Sequence, residues 1–187
     1  MRQLKLDTED EKRIRGFQFL SQKPMLYVLN VGEEDAPRLH EKEQEFRALI
    51  GDRVNTAVAG VGGKIEAELA ELSPEEAREY LVSYGLKESG LERLISATYA
   101  LLGLMSFLTA GETEVRAWTI PIGSTAVKAA GAIHSDFEKK FIRAETVNWK
   151  SLVDLGGYPG VREKGLLRLE GKEYIVKDGD VLVIRHG

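Results

Sequence analysis

The sequence predicts an α/β layer followed by a separate α+β module. Three observations carry this: an apolar run of strand length at 25–31, a strand–helix–strand–helix order that continues to about residue 104, and a change of texture beyond it. In the later part several alternating segments surround one helical pattern.

The elements follow in order. Residues 7–20 have the pattern of a short charged helix, and Lys23-Pro24 breaks it because proline disfavours a helical residue before it. The near-continuous apolar run 25–31 suits a strand covered on both faces, as in a parallel sheet. Asp35 and Pro37 open a helix with Leu39, Phe46, Leu49 and Ile50 on its apolar side, stopped by Gly51. Residues 54–59 form a second short strand. Ser73-Pro74-Glu75-Glu76 is a helix start, with a Ser cap, Pro at the first position and Glu three after the cap; Gly85 ends that helix. A further amphipathic helix after Gly90 places Leu91, Leu94, Ile95, Thr98, Leu101 and Leu102 inward.

Beyond 104, residues 115–120 alternate as a strand. A helix begins near Thr125 and carries Val127, Ala130, Ile133 and Phe137. Strands are expected at 142–147, 166–169, 174–176 and 181–184, the last two flanking an Asp178-Gly179 turn. Strands, one helix, then more strands is the order of a β-grasp (ubiquitin-like) module.

Composition bounds the function. At 187 residues, 43% hydrophobic and 30% charged, the chain has the profile of a soluble globular protein of one ordinary domain or two small ones. With no cysteine, disulfides and thiolate chemistry are excluded. The charged start lacks the apolar core of a signal peptide, and no apolar run approaches a membrane span. The expected location is the cytoplasm, with no membrane partner. Residues 1–103 hold 14 Lys and Arg against 19 Asp and Glu, whereas 104–187 hold 12 against 11. Neither balance supports nucleic-acid binding by bulk charge, so contact with RNA needs a local patch.

Long stretches carry a resemblance. LTAGETEVRAWTI (108–120), AAGAIHSDFEK (129–139) and EGKEYIVKDGD (170–180) resemble the TGS domain of the YchF (Obg-like) ATPase family. Upstream, KPMLYVLNVGE (23–33) and IEAELAEL (65–72) resemble that family's nucleotide domain, in the same order. The resemblance implies a partial P-loop NTPase layer over residues 1–104, the end of an OBG-type G domain, with 1–22 the returning end of a helical arm. It implies a TGS domain over 105–187. Family members prefer ATP to GTP, use Mg with the nucleotide and associate with ribosomes.

The same resemblance implies the sites. GTPases of this superfamily read guanine with Asn-Lys-x-Asp after a strand; here the pattern is Asn30-Val31-Gly32-Glu33. A longer acid and a missing lysine spoil the bidentate guanine fork. Adenine reading is therefore implied, with Asn30 holding the loop, Val31 in place of the lysine and Glu33 near the base edge. The second base loop, usually Ser/Cys-Ala before a lysine-like position, reads Gly62-Gly63 here, so the hydroxyl is absent and the loop looser. Gly60-Val61-Gly62-Gly63-Lys64 is not a phosphate loop: Val58 stands where the first glycine belongs and Ile65 where the magnesium-binding hydroxyl belongs.

In the TGS part, Lys139, Lys140 and Arg143 are the candidate RNA or ribosome contacts, with Lys164, Arg168 and Lys172 possible neighbours. His134, near the apolar stripe, reads as a partly buried, hydrogen-bonded residue. Trp118 and Trp149 read as core or rim packing, and Glu66, Glu68 and Glu71 as a charged helix face. The leading expectation is the C-terminal portion of a ribosome-associated ATPase that is inactive by itself. Its rivals are a protein-interaction module on the β-grasp surface and one half of a split ATPase awaiting an N-terminal half. A parallel sheet lacking its central strands also predicts a loosened or self-associating N-terminal part beside a well-folded TGS domain.

Overall fold

The structure, a computed structural model, describes Leu4 and residues 6–187. The chain divides into two compact units, Met1–Leu102 and Gly103–Gly187. The predicted returning arm at 1–22 lies partly on residues 1–3 and 5, outside the described residues.

In the first unit, α1 (Thr8–Ile14) is capped by the Asp7 carboxylate, which accepts the amides of Glu9 and Asp10. It is shorter than the predicted 7–20 helix, because Gln18 takes a left-handed conformation after a 3-10 turn at Arg15–Phe17. Strand β1 (Met25–Asn30) follows, then a 3-10 turn (Glu33–Arg38) leading into α2 (Leu39–Ile50). Strand β2 (Thr56–Val61) pairs parallel with β1, Met25 opposite Thr56 and Asn30 opposite Val61. Next come α3 (Gly63–Leu69), α4 (Pro74–Ser83) and α5 (Gly90–Leu102). The full capping box of Ser73 and Glu76 starts α4.

Consecutive buried positions Val58, Ala59 and Gly60 show that both faces of β2 are covered, since neighbours on a strand point oppositely. β1 differs from its expectation. Among the described residues it pairs with β2 alone, and Val28 stays 48% exposed, so its apolar run is not covered on both sides. The helix faces are corrected as well. Leu49 on α2 and Leu91, Ile95 and Leu102 on α5 are exposed, whereas Glu43 on α2 is buried. The reason is chemical: Glu43 accepts the Gly60 N–H at 2.5 Å and pairs with Arg93 of α5, which draws the polar side of each helix inward.

In the second unit, β3 (Leu104–Ala110) and β4 (Val115–Pro121) form an antiparallel pair. The predicted long helix is split into α6 (Ala126–Ile133) and α7 (Ser135–Lys139). The break is His134, extended, whose Nδ1 accepts the Asp136 N–H at 3.2 Å; it is exposed rather than partly buried. Strand β5 (Phe141–Asn148) leads to α8 (Trp149–Asp154), α9 (Tyr158–Glu163), β6 (Arg168–Glu170) and β7 (Asp180–His186). The sheet order is β4-β3-β7-β5-β6, with β3 and β7 parallel and the other pairs antiparallel. No strand forms at 174–176; only an isolated bridge joins Ile175 to Thr125.

Val181 and Leu182, adjacent on β7, belong to two cores. Leu182 joins Met105, Phe107, Ile120, Ala129 and Phe141 under α6. Val181 joins Val147 and Val161 under α8 and α9. Trp118 packs at the edge of the first core with its Nε1 donating to Thr109. Trp149 starts α8 and lies over Gly179, whose φ of 75° and lack of a Cβ admit the indole. Buried Asp180 accepts from Tyr174 Oη at 2.8 Å and the Lys177 N–H at 2.9 Å, fixing the loop that replaces the missing strand. Burial first, then that hydrogen bond, pushes the Tyr174 phenol up to about 12. Among the described residues no helix is long and apolar enough to cross a membrane.

Candidate functional site

The carboxyl ends of β1 and β2 lie side by side, the position where open α/β sheets hold ligands. There the Val31 N–H donates to the Val61 carbonyl at 2.8 Å, extending the pairing past Asn30. Asn30 Oδ1 accepts the Gly63 N–H at 2.9 Å and so ties the end of β1 to the first turn of α3. A Cβ on Gly63 would stand 2.8 Å from that oxygen, so the tie in this form needs glycine. Gly62 is buried, its missing Cβ facing Ile65. Five candidate residues, Asn30, Val31, Glu33, Gly62 and Gly63, thus meet at one sheet end.

Charge completes the cluster with residues that the sequence reading did not assign to it. Glu33 Oε1 holds Lys64 Nζ at 2.6 Å, and Lys64 is 4.0 Å from Glu68. The Glu33 hydrogen bond first, then the charges of Glu33 and Glu68, raise the Lys64 ammonium above its usual range. Glu68 in turn accepts the Tyr80 hydroxyl, and the Tyr80 ring lies 5.2 Å from that of Tyr84, tilted by 59°. Burial, then the same two carboxylates, raise the Tyr84 phenol. Only the i,i+4 spacing of Lys64 and Glu68 was a sequence signal; the Glu33–Lys64 pair spans too much chain to be read. The expected charged face of Glu66, Glu68 and Glu71 is corrected, since Glu66 turns inward to accept the Gly90 N–H at 2.6 Å and cap α5.

The residues present do not suit the phosphates of a nucleotide. Lys64, the lysine after the glycine pair, is committed to Glu33, and Ile65 is fully buried where a magnesium-binding hydroxyl would stand. No cluster of acids or histidines suited to a metal occurs among the described residues.

Beside this site a groove of about 540 Å³ opens between β1 and α2, lined by Val28, Leu29, Val31, Phe46 and Leu49 among others. In the second unit Lys139 and Lys140 end α7, and Arg143 lies on β5 opposite Arg185. All three are exposed and have no ion pair among the described residues. Arg185 is matched by Glu145 at 2.7 Å. Arg168 is committed to Glu170 at 3.3 Å and to Tyr174 at 2.9 Å, and no contact brings it, Lys164 or Lys172 to the other three.

Comparison with known proteins gives the relationship. Residues 104–187 match the family described as YchF-GTPase_C: Protein of unknown function (DUF933). The chain is 47% identical over 186 residues to the "Ribosome-binding ATPase YchF" of Bacillus subtilis, covering 98% of this chain and 50% of that protein. It is 45% identical over 185 residues to the protein of the same name from Escherichia coli O157:H7, with 97% and 50% covered. The solved structure of the Schizosaccharomyces pombe YchF GTPase superposes with a TM-score of 0.74 at 29% identity, over 98% of this chain and 49% of that one. The chain spans about half the length of the curated relatives it matches. With nearly all of its residues aligned to such proteins, and a mixed α/β fold in common with the solved one, the chain belongs to the YchF family.

Proposed function

We propose that this chain is the carboxyl-terminal portion of a ribosome-associated ATPase that prefers ATP to GTP. In this reading the first unit is the end of the nucleotide domain and carries the base site. The second unit is a TGS module of β-grasp type that contacts the ribosome or RNA. The observation that carries the base site is the Asn30–Gly63 tie at the carboxyl ends of two parallel strands. Support for the β-grasp assignment is a mixed sheet with a central parallel pair, crossed on one face by α6. For the RNA face it is the exposed Lys139, Lys140 and Arg143, with no acid paired to them among the described residues.

Ribosome co-sedimentation tests the second unit. Reversing two phosphate-contacting charges in Lys139→Glu/Arg143→Glu is expected to weaken pelleting about tenfold at roughly 0.1 M salt and to flatten its salt dependence by about two ion equivalents. Unchanged pelleting would remove this face from the reading and favour the β-grasp surface as a protein-binding module.

Phosphoryl transfer needs a phosphate cradle, a lysine on the phosphates and a Ser/Thr-held magnesium. Lys64 and Ile65 supply none of these. By itself the chain is expected to release no phosphate from Mg-ATP above a denatured control. The groove beside the free edge of β1 gives the split-ATPase reading its own support, because a partner strand there would cover Val28 and Leu29. Phosphate release that appears only after a separately made N-terminal half is added would establish that second reading; release by the chain alone would overturn both.

A further inference from the structure

We propose that Lys64 is a positioning residue that sets base specificity by occupying Glu33, so that the site turns guanine away. The inference rests on the reading of residues 30–33 and 62–63 as a base site. Guanine offers two adjacent donors, N1–H and the N2 amino group, and a carboxylate reads both only with two free oxygens and its full charge. Here Lys64 Nζ stands 2.6 Å from Glu33 Oε1, which takes one oxygen and neutralises the acid. Oε2 alone stays unengaged, enough for one amino group, whereas the fork needs Oε1 as well, which is already shared with the ammonium.

Lys64 is held on its other side by Glu68, and Glu68 by the Tyr80 hydroxyl. The lysine therefore sits between two acids on separate elements, one after β1 and one on α3. A glutamate that reached the base edge unpaired would favour the competitor; the pairing acts against that competitor rather than for the ligand. The lysine is 71% exposed and Glu33 33%, so solvent screens the pair and its effect is modest.

The test is titration of the full chain with AMP and GMP, followed by the backbone amide resonances of Gly62 and Gly63. Wild type is expected to favour AMP. Lys64→Met, which frees Glu33, is expected to raise GMP affinity two- to fivefold, roughly the range of an exposed ion pair, with AMP unchanged. Lys64→Arg keeps the pair and is expected to retain the wild-type ratio. Adding Glu33→Gln to Lys64→Met is expected to remove the gain, because the gain acts through the freed carboxylate. If wild type favours AMP and Lys64→Met leaves the ratio unchanged, the Lys64 inference falls while the base site stands. If neither nucleotide moves the Gly62 and Gly63 resonances, the base site falls, and the inference with it.

Discussion

Glu43→Ala is expected to destabilise the first unit by about 3 kcal/mol, because it strands a partly buried cation and a strand amide together. The Glu43 carboxylate accepts the Gly60 N–H at 2.5 Å and pairs with Arg93, whose Nε already has no hydrogen-bond partner among the described residues. With alanine there, the guanidinium keeps, among the described residues, only Glu88, 3.9 Å away and half exposed. The space cannot be refilled cheaply from β2, where a Cβ on Gly60 would run into Leu39. Glu43→Gln keeps an acceptor for Gly60 and loses the charge, so about half the loss is expected. Urea unfolding, with hydrogen exchange at Val58, Ala59 and Gly60, measures both. A Glu43→Ala midpoint equal to wild type would show that the pair is not holding α2 and α5 on β2. Because β2 leads directly into Gly62 and Gly63, the same variant is expected to blur the amide resonances of those two glycines.

Phe107→Ala carries the other large effect, about 3–5 kcal/mol, the usual range for emptying a buried phenyl site. Phe107 has no exposed surface and sits on β3 between the central sheet and α6, touching the cluster of Ile120, Phe141 and Leu182. Domains of this size are stable by only about 5–15 kcal/mol, so the loss is a large fraction of the whole. Ile142→Ala is the control. That side chain is also apolar and on the same sheet, yet 56% exposed, and its removal is expected to cost under about 1 kcal/mol. Thermal unfolding followed by tryptophan fluorescence compares the two. Equal shifts would mean that the cluster under α6 is not the core of this unit. On the proposed ribosome contact, pelleting is expected to fail for Phe107→Ala near its lowered midpoint and to persist for Ile142→Ala, which separates loss of fold from loss of the proposed basic face.

Local chemistry was legible wherever a signal is short in sequence. The Ser73–Glu76 capping box, the Thr125 cap, the Gly51 stop and the Asp178-Gly179 turn all depend on residues within a few positions of one another. The apolar run at 25–31 announced a strand for the same reason. Its coverage was not legible, because burial belongs to whatever packs on the strand; here Val28 opens onto the groove beside α2 and stays half exposed. Helix faces failed where a buried ion pair overrode hydrophobic periodicity, as Glu43 and Arg93 did on α2 and α5. At 174–176, three apolar or aromatic residues look like a strand, but the hydrogen bonds from Tyr174 and Lys177 to Asp180 spend that segment on a loop.

By itself, the sequence determined the two-part order of elements, the family, and the residue types available at each candidate site. Motifs and caps are written in contiguous residues, so they survive without coordinates. Only the tertiary structure decided what those residues do to one another. It set Asn30 against the Gly63 amide across thirty-odd residues, gave Glu33 to Lys64, and turned Glu66 from a charged surface into a cap. Hydrogen bonds and ion pairs act over a few ångströms of space rather than over sequence separation. The pairing of two parallel strands, which brings their ends together, therefore had to be seen before the site could be.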